Sequence, residues 1–200
     1  MHHSSSYVLA DRFTEARTLA SDAAWIIGFS LFTALAAQLE IRLPYTPVPI
    51  TAQTFAVLLA GALLGSRRGF LSQMAYLAEG AAGLPVFAGG AFSFAHLMGP
   101  TGGYLWSYPV AAALIGWLVE RGASRRTLLL VPALVLSDLL ILACGVLWVH
   151  RFFGTTFRDA LLLGFYPFLI GDLIKLVVIG FSLPRMLNRF GRREVGQKCL

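Results

Sequence analysis

The chain has 200 residues, of which 57% are hydrophobic and only 13% charged, and its mean hydropathy is +0.71. A soluble domain carries about 25% charged residues, so this composition excludes an ordinary water-soluble domain and points to a polytopic membrane protein. The net charge of +6 does not describe a nucleic-acid surface, because the basic residues stand in short clusters between apolar runs rather than along one face.

The opening MHHSSS is polar and is followed by no signal-peptide pattern, so it is set aside from the fold. A bilayer-spanning helix needs about 20 mostly apolar residues, since the hydrocarbon core is about 30 Å thick and a helix rises about 1.5 Å per residue. Six stretches are predicted to span: 23–41, 51–65, 70–88, 101–119, 127–149 and 160–183. The second is short, and the third is interrupted by glycines and Pro85. The expected fold is therefore an all-α integral membrane protein, a six-transmembrane-helix bundle over residues 23–183. A cytoplasmic segment, 1–22, precedes it, and a basic cytoplasmic tail, 184–200, follows.

Basic residues test this topology, because translocated loops are poor in Lys and Arg. Twelve lie on one side of the six spans, including Arg12, Arg17, Arg67, Arg68, Arg121 and Lys198, against Arg42, Arg151 and Arg158 on the other. Both termini are accordingly expected in the cytoplasm. Among the outer connections, PYTPVPI at 44–50 is expected to be extended, since proline fixes φ and disfavours helix in the residue before it. AGGAFSFAHLMGP at 88–100 is glycine-rich and expected to be flexible, and 148–158 is aromatic and basic, as an interfacial segment is.

Four ionisable residues fall inside the spans: Glu79, Asp138, Asp172 and Lys175. Each costs roughly 2.5–3.5 kcal/mol on insertion scales, so such groups usually face a protein interior or a cavity. Asp172 and Lys175 are three apart and share one helix face, which Phe165 and Phe168 continue. Ser72, Tyr76, Glu79 and Gly83 share another face in the third span, and Leu134, Asp138, Ile141 and Gly145 a third in the fifth. Two readings of Asp172 and Lys175 stand side by side. They are a self-neutralising pair whose lysine snorkels inward, or they hold a ligand. Three acids against one base leave carboxylates that must be protonated, hydrogen-bonded or reserved for a donor-bearing substrate. Glu79 and Asp138 fit a structural role between helices as well as a binding one.

Small residues recur at Ser30-xxx-Ala34, Thr33-xxx-Ala37, Ala52-xxx-Ala56-xxx-Ala60 and Gly61-xxx-Gly65, a spacing that lets helices approach closely in lipid. Tyr104, Trp106 and Tyr108 suit an interfacial aromatic belt, while GPTGGY at 99–104 is more specific than a belt requires and lets backbone come close to a ligand or loop. The chain has no G-x-x-x-x-G-K-[ST] phosphate loop, no H-E-x-x-H and no G-x-S-x-G. Its four histidines are scattered, and Cys144 and Cys199 form neither a redox nor a zinc motif. A metal centre, ATP hydrolysis by this chain, and enzymatic activity are therefore not expected, since no nucleophile or metal accompanies the acids. A purely structural membrane partner remains a distinct class.

Four segments in order, PVPITAQTFAVLLAGALLGSRRG (47–69), YLAEGAAGLPVFAGG (76–90), GPTGGYLWSYPVAAALIGWL (99–118) and D-x-x-K at Asp172 and Lys175, make the chain resemble the BioY family. These are the biotin-specific substrate-binding (S) components of energy-coupling factor transporters. The resemblance implies a multi-pass protein of the cell membrane, surrounded by lipid. It would capture biotin from outside with high affinity, use no cofactor, and work with a transmembrane coupling subunit and two cytoplasmic ATPase subunits; a solitary biotin transporter without an ATPase module is the alternative. It also assigns Asp172 and Lys175 to the ligand's bicyclic head, whose ureido ring offers two N–H donors and a carbonyl acceptor. The substrate-binding set is completed by Tyr76, Glu79, Gly102, Gly103, Tyr104 and Phe168, with Pro44, Tyr45, Thr46, Pro47 and Val48 as the entrance loop and Ser30, Ala34 and Ala37 as the contact to the coupling subunit. For the ligand's carboxylate, backbone N–H groups, Arg42 and solvent all remain open.

Overall fold

The computed structural model describes residues 18–197. Most of the expected N-terminal segment, with MHHSSS, Arg12 and Arg17, lies outside the described residues, as do Lys198 and Cys199. Helix α1, Leu19–Gln38, opens with a capping box in which Thr18 and Ser21 satisfy each other's backbone N–H groups. The chain then forms a small antiparallel hairpin, β1 (Glu40–Ile41) on β2 (Ile50–Thr51), with Glu40 opposite Thr51. Between the strands the loop departs from the extended form expected of its prolines: Pro44 and Tyr45 make a turn, with Thr46 N–H on Leu43 O at 3.4 Å, and the chain bends again at Pro47 and Val48.

Helix α2, Gln53–Leu64, is only 12 residues long. A turn at Gly65 leads into α3, Ser66–Ala81, whose first backbone N–H, at Ser66, donates to Glu120 Oε1 at 2.7 Å. The third predicted span is thus displaced: its helix starts at 66 and stops at 81, where Gly83 adopts φ +103°, a conformation open mainly to glycine. Residues 88–100 are more structured than their glycine content suggests. They hold a 3-10 turn at Ala88–Gly90 and a short helix α4, Phe94–Leu97, capped by Ser93.

Helices α5, Gly102–Glu120, and α6, Thr127–Phe153, follow the prediction closely. The sixth span does not, because it is broken into α7, Phe157–Gly164, and α8, Leu169–Gln197, bent by 52°. Pro167 supplies the reason, since the residues before a proline resist helical geometry and its ring removes a donor. Residues 184–197 of the expected tail are a continuation of α8.

By length and composition α1, α5 and α6 can cross a membrane, as can the bent α7–α8 pair taken as one span. α2 is too short, and α3 carries Arg67, Arg68, Gln73 and Glu79. Helix α5 sits at the centre, packed on α2, α3 and α6. Its first half joins an apolar cluster at the hairpin end with Tyr76, Phe87, Ile141 and Phe168, and its second half an opposite cluster with Leu58, Leu134 and Ile179. Leu35, Leu128 and Ile170 are 70%, 85% and 76% exposed. An exterior of that kind suits hydrocarbon and not water.

Candidate functional site

A cavity of about 400 Å³ opens at the hairpin end of the bundle, within the roughly 300–1,000 Å³ typical of small-molecule sites. The loop after β1 covers it with Thr46, Pro47 and Val48, and Phe87, Ala88 and Gly89 form one wall. Glu40, Arg42, His96 and Thr101 also line it; Asp172 and Lys175 enter from α8, Tyr104 and Tyr108 from α5, and Leu142 from α6.

Asp172 and Lys175 meet as the i, i+3 spacing requires, with Lys175 Nζ 2.8 Å from Asp172 Oδ1. Thr54, in the first turn of α2, completes a triangle: its hydroxyl accepts from Lys175 Nζ at 2.8 Å and donates to Asp172 Oδ1 at 3.2 Å. Asp172 is 3% exposed, yet its Oδ2 is buried with no hydrogen-bond partner among the described residues. A buried acceptor left unpaired costs the desolvation of that group. Glu40 Oε2, also on the cavity lining, is likewise buried without a partner, so both carboxylates call for a donor from outside the described residues.

Beside this triangle the Gln53 amide donates to Tyr76 OH at 2.5 Å, and that phenol donates to Val86 O at 3.2 Å. Tyr76 itself does not line the cavity; it holds Gln53, which does. Tyr104 OH donates to Gly164 O at 2.6 Å, and its ring lies 5.8 Å from that of Phe168. Both rings reach the cavity. At the mouth, Arg42 Nε pairs with Glu40 Oε1 at 2.8 Å. His96 stacks on Phe87 at 5.2 Å, and burial pulls its pKa below the usual 6.5.

The other expected residues fall elsewhere. Glu79 accepts from Ser30 Oγ at 2.5 Å and ties α3 to α1 away from the cavity lining. Gly102 and Gly103 let α5 lie against Trp148 and the carbonyls of Leu97 and Cys144, so their missing side chains serve helix packing. Pro44 and Tyr45 belong to the covering loop without lining the space beneath, and Tyr45 is exposed. Ser30, Ala34 and Ala37 are buried within this chain, so they face inward and not toward a neighbour. Asp138 is buried off the lining, close enough to Asp172 and Lys175 to interact with both charges.

Sequence reasoning missed Gln53 and Thr54, although they are the two polar side chains of an otherwise apolar α2, and that isolation was the available signal. Glu40, His96 and Leu142 carried none.

A helical membrane protein with a ligand-sized cavity, a loop across it and a buried carboxylate and ammonium at its side is a small-molecule-binding membrane subunit. The family model for BioY matches residues 6–192, and the chain belongs to the BioY family. It is 41% identical over 162 residues to the biotin transporter BioY of Thermotoga maritima, covering 80% of this chain and 94% of that one. With the probable biotin transporter BioY of Pyrococcus horikoshii it shares 39% identity over 156 residues, 78% and 90% of the two chains. The crystal structure of the S-component for biotin from an ECF-type ABC transporter superposes with a TM-score of 0.78 at 26% identity, covering 86% of this chain and 94% of that one.

Proposed function

We infer that this chain is the biotin-binding S-component of an ECF-type transporter, taking biotin into the cavity from the external side. One observation carries the reading beyond family membership: the unpartnered Oδ2 of Asp172 sits beside a lysine whose ammonium has a third N–H to give. A ureido ring presents two N–H donors and one carbonyl, the complement of that arrangement. In this reading α1, α2, α3, α5, α6 and the α7–α8 pair are six crossing segments, with both termini cytoplasmic as the basic residues require. Lacking a phosphate loop, the chain would draw its energy from a coupling subunit and two ATPases. The face of α1 that can meet such a subunit is the exposed row Ala20, Ala24 and Gly28, and not Ser30, Ala34 and Ala37.

Equilibrium binding of labelled biotin to the purified protein tests the assignment. Binding by the parent chain, weakened tens to thousands of times in Asp172→Asn and Lys175→Met, is expected, because removing one side of a buried charge pair costs about 2–5 kcal/mol. No binding by the parent removes the function, and undiminished binding in both variants removes the site. Co-purification with an ATPase subunit tests the assembly.

A further inference from the structure

The break between α7 and α8 leaves carbonyls without helical partners, and two of them are claimed by side chains from elsewhere. Leu163 O accepts the Thr46 hydroxyl at 2.6 Å, and Gly164 O accepts Tyr104 OH at 2.6 Å. The same Thr46 oxygen accepts the backbone N–H of Val48 at 3.2 Å, so it also folds the loop it belongs to. Thr46 and Val48 line the cavity from above. Past the break, Phe168 N–H returns to Phe165 O at 3.1 Å and Asp172 N–H to Phe168 O at 2.8 Å. One short path thus runs from the covering loop through two adjacent carbonyls to the residue that carries the free carboxylate oxygen.

We propose that Thr46 is a positioning residue that latches the covering loop to the broken span, so that closing the loop and setting the Asp172–Lys175 pair are one event. The proposal rests on the cavity being the biotin site. Its chemistry is specific to a hydroxyl. Valine fills the same volume but can neither donate to Leu163 O nor accept from Val48 N–H, whereas serine can do both. Tyr104 needs Gly164 for its part, since a Cβ there would crowd the phenol oxygen.

The test compares Thr46→Val, Thr46→Ala and Thr46→Ser with the parent in detergent, following labelled biotin by association and dissociation rates. Loss of one latch hydrogen bond should speed dissociation about three- to tenfold and leave association within about twofold. Thr46→Ser should return both to the parent values. A second readout needs no ligand: backbone amide exchange should rise together in residues 44–49 and 163–172 of Thr46→Val. Unchanged dissociation in Thr46→Val and Thr46→Ala, no rescue by serine, or exchange rising in the loop alone would each overturn the latch. If the parent binds no biotin, the reading of the cavity fails, while the exchange measurement still decides the latch by itself.

Discussion

Asp172 and Lys175 stood out in the sequence because charge inside an apolar run is costly, and chain folding then placed them together by helical spacing alone. What the sequence did not reveal is Thr54, whose hydroxyl joins the pair across α2 and α8. A threonine in a helix's first turn is ordinary, and only its place beside Gln53 as one of two polar side chains in an apolar helix marked it. The pair's energetics give a prediction. Lys175→Met leaves a buried carboxylate without its cation and should destabilise by about 3–5 kcal/mol, read as a lower melting temperature in detergent. Adding Asp172→Asn to that variant should restore most of the loss, because two neutral partners no longer strand a charge. His96 gives a second prediction, on pH. The unfolded chain takes up a proton near pH 6.5, whereas the folded chain, with its lowered pKa, takes it only at more acid pH. Stability should therefore fall as pH drops below about 6.5 until the folded imidazole also titrates. In His96→Gln that part of the melting-temperature profile should flatten.

Among elements, α5 and α6 could be read almost to their ends, since each is a long apolar run bounded by Gly or a basic turn. The break at 165–168 was harder, although Gly164 and Pro167 were both in view. A continuous apolar composition outweighed one proline, and the helix-face argument carried Phe165 and Phe168 through a segment that is not helical. In space Phe168 nonetheless lines the cavity, brought there by the bend. Close packing at these crossings makes glycines discriminating. A Cβ on Gly145 would overlap the Tyr104 ring, so Gly145→Ala should cost about 1–3 kcal/mol of stability and weaken biotin binding through the displaced phenol. Gly28 has nothing within 4 Å of such a Cβ. Gly28→Ala should leave the melting temperature and biotin binding unchanged, while uptake in cells falls if α1 docks the coupling subunit there.

For the molecule as a whole, the asymmetry of twelve basic residues against three predicts an orientation with both termini in the cytoplasm. It is checked by single cysteines in a cysteine-free background. Cysteine at position 45 should react with an impermeant thiol reagent added outside intact cells, and cysteine at 67 or 126 should react only after permeabilisation. α2 and α3 were expected to cross from their apolar stretches and the alternation of basic loops, although one helix is short and the other polar.

The shortness of α2 has its own significance. Twelve residues make a rod of about 18 Å, where the hydrocarbon core is about 30 Å. Buried among its neighbours, α2 does not force the lipid to thin. The missing length is a well inside the bundle, roofed by the proline loop and floored where α2 begins. Ligand size in such a protein is then written in main-chain length before it is written in side chains. One added turn, about 5.4 Å, would plug the well and leave a well-packed bundle with nothing to carry.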